Sequence, residues 1–370
     1  MKIKVKSLRN LHYPMLVVSI VLAACGLINL YSATVSFDDV TASSLFKAQL
    51  AYTGLGIVVM LIVAQLSLRR LYMLAPLAYA FSLLLLVLVL VVGSTVHGSQ
   101  SWLDLGLVRL QPSEFAKLGL VFFLSWQLTG QAFSQALGPK ELLKPSLIFL
   151  VPSVLVILQK DLGSSLFFGF LFATLLFIQG VHWRIVVLAM TLVAVGSLVS
   201  YQFLLKPYQK DRIASFMEPE RDAKGSGYHL VQSKIAVGSG QFLGRGYLKG
   251  ASNKLKFLPE RHTDFIFPVL AEEWGFVGSV SVLGLYALLL LCGVNIASRS
   301  NNRFGFFLSV GFTSLFFWHL VINLGGVLGL MPLTGVPLPF LSYGGSSLLT
   351  NWVALGFLQA IYKSRTQYGF

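Results

Sequence analysis

Four ionisable residues stand within five positions in Pro259-Glu260-Arg261-His262-Thr263-Asp264, directly before an apolar run that opens at Phe265. Such neighbours can hold one carboxylate ionised, ready to accept a proton. Asp264 is therefore the first candidate for a general base. The competing reading is a helix N-cap, a position that aspartate fills well and where it contributes roughly 1 kcal/mol. Glu260 and His262 are candidate ligand contacts beside it. A lone histidine, although able to titrate near neutrality, more often serves as a hydrogen-bonding scaffold.

A second pair lies in Gln111-Pro-Ser-Glu114-Phe-Ala-Lys117. Glu114 and Lys117 are three apart, so they share a helix face and can pair. Pro112, followed by Ser113 and Glu114, marks the start of that helix. A capped helix with a self-neutralising pair and a ligand contact are both open readings. Asp161 can pair with Lys160, cap a helix opening at Leu162, or face a cavity, and the cap is favoured.

The surroundings of these residues are fixed by composition. With 55% hydrophobic residues, 11% charged residues and a mean hydropathy of +0.75, the chain's solvent is mostly lipid. Spans of roughly 20 apolar residues are predicted near 13–33, 49–67, 71–93, 113–131, 146–159, 162–180, 184–205, 268–297, 305–327 and 346–362. The expected fold is all-α, a polytopic membrane domain of ten transmembrane helices covering 1–370. The fifth span is short and reads as tilted or broken.

Basic residues of the short loops, among them Lys4, Arg69, Arg70, Arg299 and Lys363, fall on one side of this ten-span arrangement. That side is the cytoplasm, and it holds both termini. A large extracytoplasmic loop, 206–267, then joins the seventh and eighth helices. Three outward stretches, 94–112, 206–267 and 328–345, are rich in glycine, proline and hydroxyl residues. Gly238-Ser-Gly240 and Gly244-Arg-Gly246 allow tight reversals or close backbone approach. The segment from Pro332 to Ser347 reads as a re-entrant segment or rigid rim whose backbone must find partners inside protein.

The net charge of +14 does not point to nucleic acid, because much of it is the cytoplasmic collar that orients a membrane protein. The basic outward loop instead suggests an anionic ligand such as a lipid phosphate. Cys25 and Cys292 both lie within spans and imply no disulfide framework. Leu22-Ala-Ala-Cys25 has the look of a lipoprotein cleavage box, but the apolar run continues through Leu30 as a first span would.

Several of these stretches together resemble one family. Ser101-Trp-Leu-Asp-Leu-Gly106, Val108 to Lys117, Asp161-Leu-Gly163, Gly227 to Gly240, Phe257 to Phe267 and Pro337 to Ser347 are similar to the SEDS family of polytopic cell-wall proteins. The resemblance covers nearly the whole chain. Its Trp102-Leu-Asp-Leu-Gly106 and Pro259 to Asp264 forms, with the short C-terminal tail, are closer to the elongation branch than to the division or sporulation branches.

The resemblance implies ten transmembrane helices in the cytoplasmic (inner) membrane. It also implies a peptidoglycan glycosyltransferase that polymerises lipid II at the outer face during cell elongation. The family's essential aspartate falls on Asp264, and its motif glutamate and lysine on Glu114 and Lys117. Lys117, Arg109, Arg212, Lys234 and Arg245 are candidates to meet the departing diphosphate. A divalent cation, Mg or Mn, bridging Asp264 to that diphosphate is a variant, while no His or Cys cluster fixes a transition-metal site. Implied partners are undecaprenyl diphosphate-linked glycan, a class B penicillin-binding protein and other elongation-complex membrane proteins. Two departures stand out: Ser101 where the family usually has a basic residue, and Lys160 where it usually has proline. A lipid II flippase and a non-catalytic scaffold are the competing readings. A flippase should show inverted repeats and charge near the midplane, whereas these charges gather at the outer rim.

Overall fold

The computed structural model describes residues 10–34, 39–96, 98–104, 106, 109–131, 136–199, 202, 226–250 and 262–365. Among the described residues the chain forms eleven α-helices. They are α1 (Tyr13–Thr34), α2 (Asp39–Val63), α3 (Leu68–Val92), α4 (Pro112–Thr129), α5 (Pro139–Leu158), α6 (Leu162–Gln179), α7 (Trp183–Val199), α8 (Ser226–Ser239), α9 (Ile266–Ser298), α10 (Arg303–Val327) and α11 (Gly345–Arg365). Ten overlie the expected spans. The addition, α8, lies within the long loop.

Seven helices hold an apolar stretch long enough to cross a membrane: α1, α2, α3, α5, α6, α9 and α10. The chain is thus a multi-pass membrane protein. Leu77 on α3, Leu166 on α6 and Leu291 on α9 point outward, as lipid-facing side chains must. Within the protein, α3 packs on α4, α2 on α11, and α9 on α1 and α10. The central helix is α10, since 67% of its apolar window is buried inside the protein against at most 44% in the other six. Phe312 of α10, Phe122 of α4 and Phe357 of α11 form an aromatic knot at its core, with centroids 4.5 to 5.6 Å apart.

The fifth helix is not short. It starts at Pro139, so Lys140 and Lys144 lie on its first turns, and Pro145 and Pro152 are accommodated inside it. The broken helix is instead α9, where Gly275 takes φ 65° and ψ −159° between two helical halves. A break within an apolar helix leaves backbone groups that lipid cannot satisfy. Here the glycine-rich turn after α8 supplies the partners. Phe276 N donates to Gln241 O at 2.9 Å and Val277 N to Phe242 O at 3.2 Å. Arg245 N and Gly246 N donate to Glu272 O and Glu273 O, both at 3.0 Å. A side chain on Gly244, itself at φ +83°, would strike Glu273 O. The glycines therefore serve close backbone approach.

A small antiparallel sheet, unforeseen from sequence, folds over one end of the bundle: β1 (Ser94–Val96), β2 (Ser99–Asp104) and β3 (Arg109–Leu110). Its last pairing sets Asp104 opposite Arg109. Residues 332–344 have no regular structure and form the expected rim. Their backbone is held from inside the bundle: Tyr286 donates to Pro339 O at 2.7 Å and Gln49 Nε2 to Ser342 O at 3.1 Å.

Candidate active site

The start of α4 places Glu114 and Lys117 together, because Pro112 opens that helix and three residues separate the pair. Lys117 Nζ lies 2.7 Å from Glu114 Oε1, and both side chains are almost fully buried. A third polar group completes the cluster: His319 Nε2 of α10 is 3.1 Å from Lys117 Nζ. His319 Nδ1 is 2.9 Å from Pro337 O. A carbonyl can only accept and an ammonium can only donate, so the imidazole is neutral, with its proton on Nδ1. The remaining face of the ammonium sits 4.4 Å from the centre of the Phe167 ring. Thr350 on α11 brings its hydroxyl to 3.4 Å from Glu114 Oε2.

Asp264, partly exposed and two residues before α9 begins, meets α10 one turn from His319. The helix N-cap position belongs to Phe265, not to Asp264, so the cap expectation does not describe the site. Asp264 and its neighbours are laced instead to the rim. Asn323 Nδ2 donates to Asp264 O at 3.0 Å and to Val336 O at 2.8 Å. Ser342 Oγ donates to Thr263 O at 2.7 Å while accepting from Leu338 N at 2.9 Å. Tyr343 N donates to His262 O at 2.9 Å. The rings of His262 and Tyr343 stand 5.8 Å apart, and burial, with Tyr52 adding to it, pushes the Tyr343 phenol up in pKa. At Gly335 of the rim, with φ +72°, a Cβ would lie 3.6 Å from Asp264 Oδ2.

Arg109 joins this end of the molecule through its backbone. Ser346 Oγ donates to Arg109 O at 3.1 Å and accepts from Gln111 N at 3.0 Å, which ties β3 to the start of α11. The Arg109 side chain is 68% exposed and reaches Asp104 at 3.4 Å. Asp161 is the N-cap of α6, as favoured from sequence: Oδ1 accepts from Ser164 N at 3.0 Å and Oδ2 from Ser164 Oγ at 2.7 Å. Ser164 continues to Ser113 Oγ at 3.4 Å, so the cap abuts the helix that carries Glu114. Lys160 takes φ +63°, which proline cannot adopt, so the departure from the family's residue coincides with a left-handed turn.

Two further basic candidates lie on α8 and in the turn after it. Arg245 pairs with buried Glu272 at 3.8 Å beside the α9 break. Lys234 lies on α8 against Gly329. Arg212 and Glu260 lie outside the described residues. Among the described residues, no group of three or more His, Cys, Asp or Glu side chains could hold a metal ion.

His319 and Asn323 were not singled out from sequence. They occupy adjacent turns of one face of α10, and the signal was available: uncharged polar groups within an apolar span need partners as charged ones do.

Comparison with known proteins gives the family and the fold. The FtsW/RodA/SpoVE cell cycle protein family model matches residues 13–367. Peptidoglycan glycosyltransferase MrdB of Escherichia coli strain K12 is 38% identical over 324 residues, spanning 87% of this chain and 86% of that protein. A solved chain described under structural coordination of polymerization and crosslinking by a peptidoglycan synthase complex superposes with a TM-score of 0.84. It is 34% identical, over 96% of this chain and 99% of that one. The crystal structure of rod shape determining protein RodA from Thermus thermophilus gives a TM-score of 0.72 at 32% identity, over 96% and 97% of the two chains. With a family match over almost its whole length and a relative 38% identical over 87% of it, the chain belongs to the FtsW/RodA/SpoVE family.

Proposed function

We propose that this protein is a peptidoglycan glycosyltransferase that polymerises lipid II at the outer face of the cytoplasmic membrane. One observation carries the mechanism: Asp264 is a partly exposed carboxylate on a loop tied through Asn323 to the rim, while the Glu114–Lys117 pair is buried and already neutralised. The acceptor's GlcNAc 4-hydroxyl gives its proton to Asp264 as its oxygen attacks the anomeric carbon of the donor MurNAc. The bond from that carbon to the diphosphate breaks, undecaprenyl diphosphate departs, and the anomeric configuration inverts.

Cations at the rim would meet the leaving group, acting by charge already in place. Arg109 is suited to this, being exposed and paired with the exposed Asp104. Lys117 has a different task. Its ammonium is taken up by Glu114, His319 and the Phe167 ring, so it braces the floor of the site. A divalent ion, if one is used, would take Asp264 and diphosphate oxygens as ligands and supply charge stabilisation. Both termini would be cytoplasmic, with all ten long helices crossing the membrane. A class B penicillin-binding protein is the expected partner, given that the matched solved chain belongs to a synthase complex.

The test uses purified protein with its penicillin-binding partner, supplied with labelled lipid II in detergent. Glycan polymer and released undecaprenyl diphosphate are the expected products. Absence of polymer, accompanied by lipid II translocation in vesicles, would make the protein a flippase instead.

A further inference from the structure

We propose that Asn323 is a positioning residue for Asp264, a role that rests on the reading of Asp264 as the base. The Asn323 amide is buried in α10, and its two N–H donors are divided between Asp264 O at 3.0 Å and Val336 O at 2.8 Å. Both partners are carbonyls, so the NH2 group and not the oxygen faces them. One side chain thereby bolts the carbonyl of the catalytic residue to the rim segment that passes its carboxylate at Gly335. One turn earlier on the same helix, His319 fixes the next rim carbonyl, Pro337 O, at 2.9 Å.

The chemistry requires this control. Asp264 lies in the turn just before the cap of α9, outside that helix. Bonds to Thr263 O and His262 O tie the same turn to the rim. Without the Asn323 bond, the carbonyl of the base and Val336 O would face each other over a buried apolar side chain, and the loop would relax away from the rim. A shift on the order of 1 Å at a reacting group can cost about 100-fold in rate. Such a shift lowers kcat and leaves substrate affinity nearly intact, because the groups that bind lipid II are untouched.

The experiment compares Asn323→Leu, Asn323→Asp, Asn323→Gln and Asp264→Asn with wild type in lipid II polymerisation with the penicillin-binding partner. Rates are normalised to folded, partner-bound protein. Leu keeps the bulk without donors. Asp keeps the shape but sets an acceptor against two acceptors. Gln keeps two donors on a side chain one methylene longer. The expected result for Leu and Asp is a fall in kcat of roughly 10- to 100-fold with KM within about twofold, and recovery of most activity in Gln. Wild-type kcat in Asn323→Leu, or a loss carried wholly by KM or by the amount of folded protein, would overturn the proposal. Asp264→Asn separates the two readings. Full activity there removes the base assignment and this role with it. An inactive Asp264→Asn beside a normal Asn323→Leu removes only the positioning role.

Discussion

Two charge pairs lie at the same end of this molecule and behave as opposites. Glu114 and Lys117 meet at 2.7 Å with only 6% and 3% of their side chains exposed, whereas Arg109 and Asp104 meet at 3.4 Å with 68% and 47% exposed. The buried pair has further partners in His319, Thr350 and the Phe167 ring. The exposed pair is bathed in solvent, where such contacts contribute about 0 to 1 kcal/mol. A buried pair is costly to break, since removing one partner strands the other charge. The floor of the site is therefore fixed, and its rim cation is free to exchange its aspartate for a ligand.

Breaking the floor should have the largest effect. Glu114→Ala leaves the Lys117 ammonium against a neutral imidazole and a ring, and should destabilise the protein by about 3 to 5 kcal/mol, read as thermal unfolding in detergent. Replacing both members by methionine removes the stranded charge and should recover most of that loss. If the single and double variants unfold alike, the pair is not the braced floor described here.

A smaller effect is expected from His319→Phe, which keeps the ring against Phe167 but removes the acceptor for Lys117 and the donor to Pro337 O. Two hydrogen bonds are lost, at about 0.5 to 1.5 kcal/mol each. The same unfolding assay reads it, and a wild-type melting point would contradict the network. At the rim, Arg109→Ala should change stability by less than about 1 kcal/mol while raising KM for lipid II, more so at low salt than at high salt.

The smallest effect is at the opposite end. Burial first, then the Arg365 and Arg299 charges, lower the pKa of His12 from 6.5 in spite of a raising backbone contact. Its Nδ1 accepts from Met15 N at the start of α1, and protonation removes that acceptor. A depressed histidine pKa means that stability is complete above about 6.5 and declines as pH falls toward the folded value. His12→Asn should flatten a slight fall in melting temperature below that pH. An unchanged slope would assign it to another group.

The same contrast between charged and uncharged groups explains what the sequence disclosed. Long apolar runs gave the helices, and Asp161, Glu114 and Lys117 were legible because helix-start chemistry and three-residue spacing are local signals. The α9 break at Gly275 was not, because it depends on backbone donors from Gln241 to Gly246 folding back onto it. Asp264 is legible as a charge, whereas its neighbours on α10 are uncharged polar groups set in an apolar span. His319 and Asn323 acquire meaning only when the rim is folded over them. The sheet at 94–110 is too short for strand periodicity to reveal.

The most direct test of the central claim is glycan polymerisation from lipid II by Asp264→Asn, assembled with the penicillin-binding partner at wild-type amounts. This account predicts intact assembly and a loss of polymer on the scale of a removed general base, at least about 100-fold. Polymer formed at the wild-type rate would contradict it, and would return Asp264 to a structural role in the loop before α9.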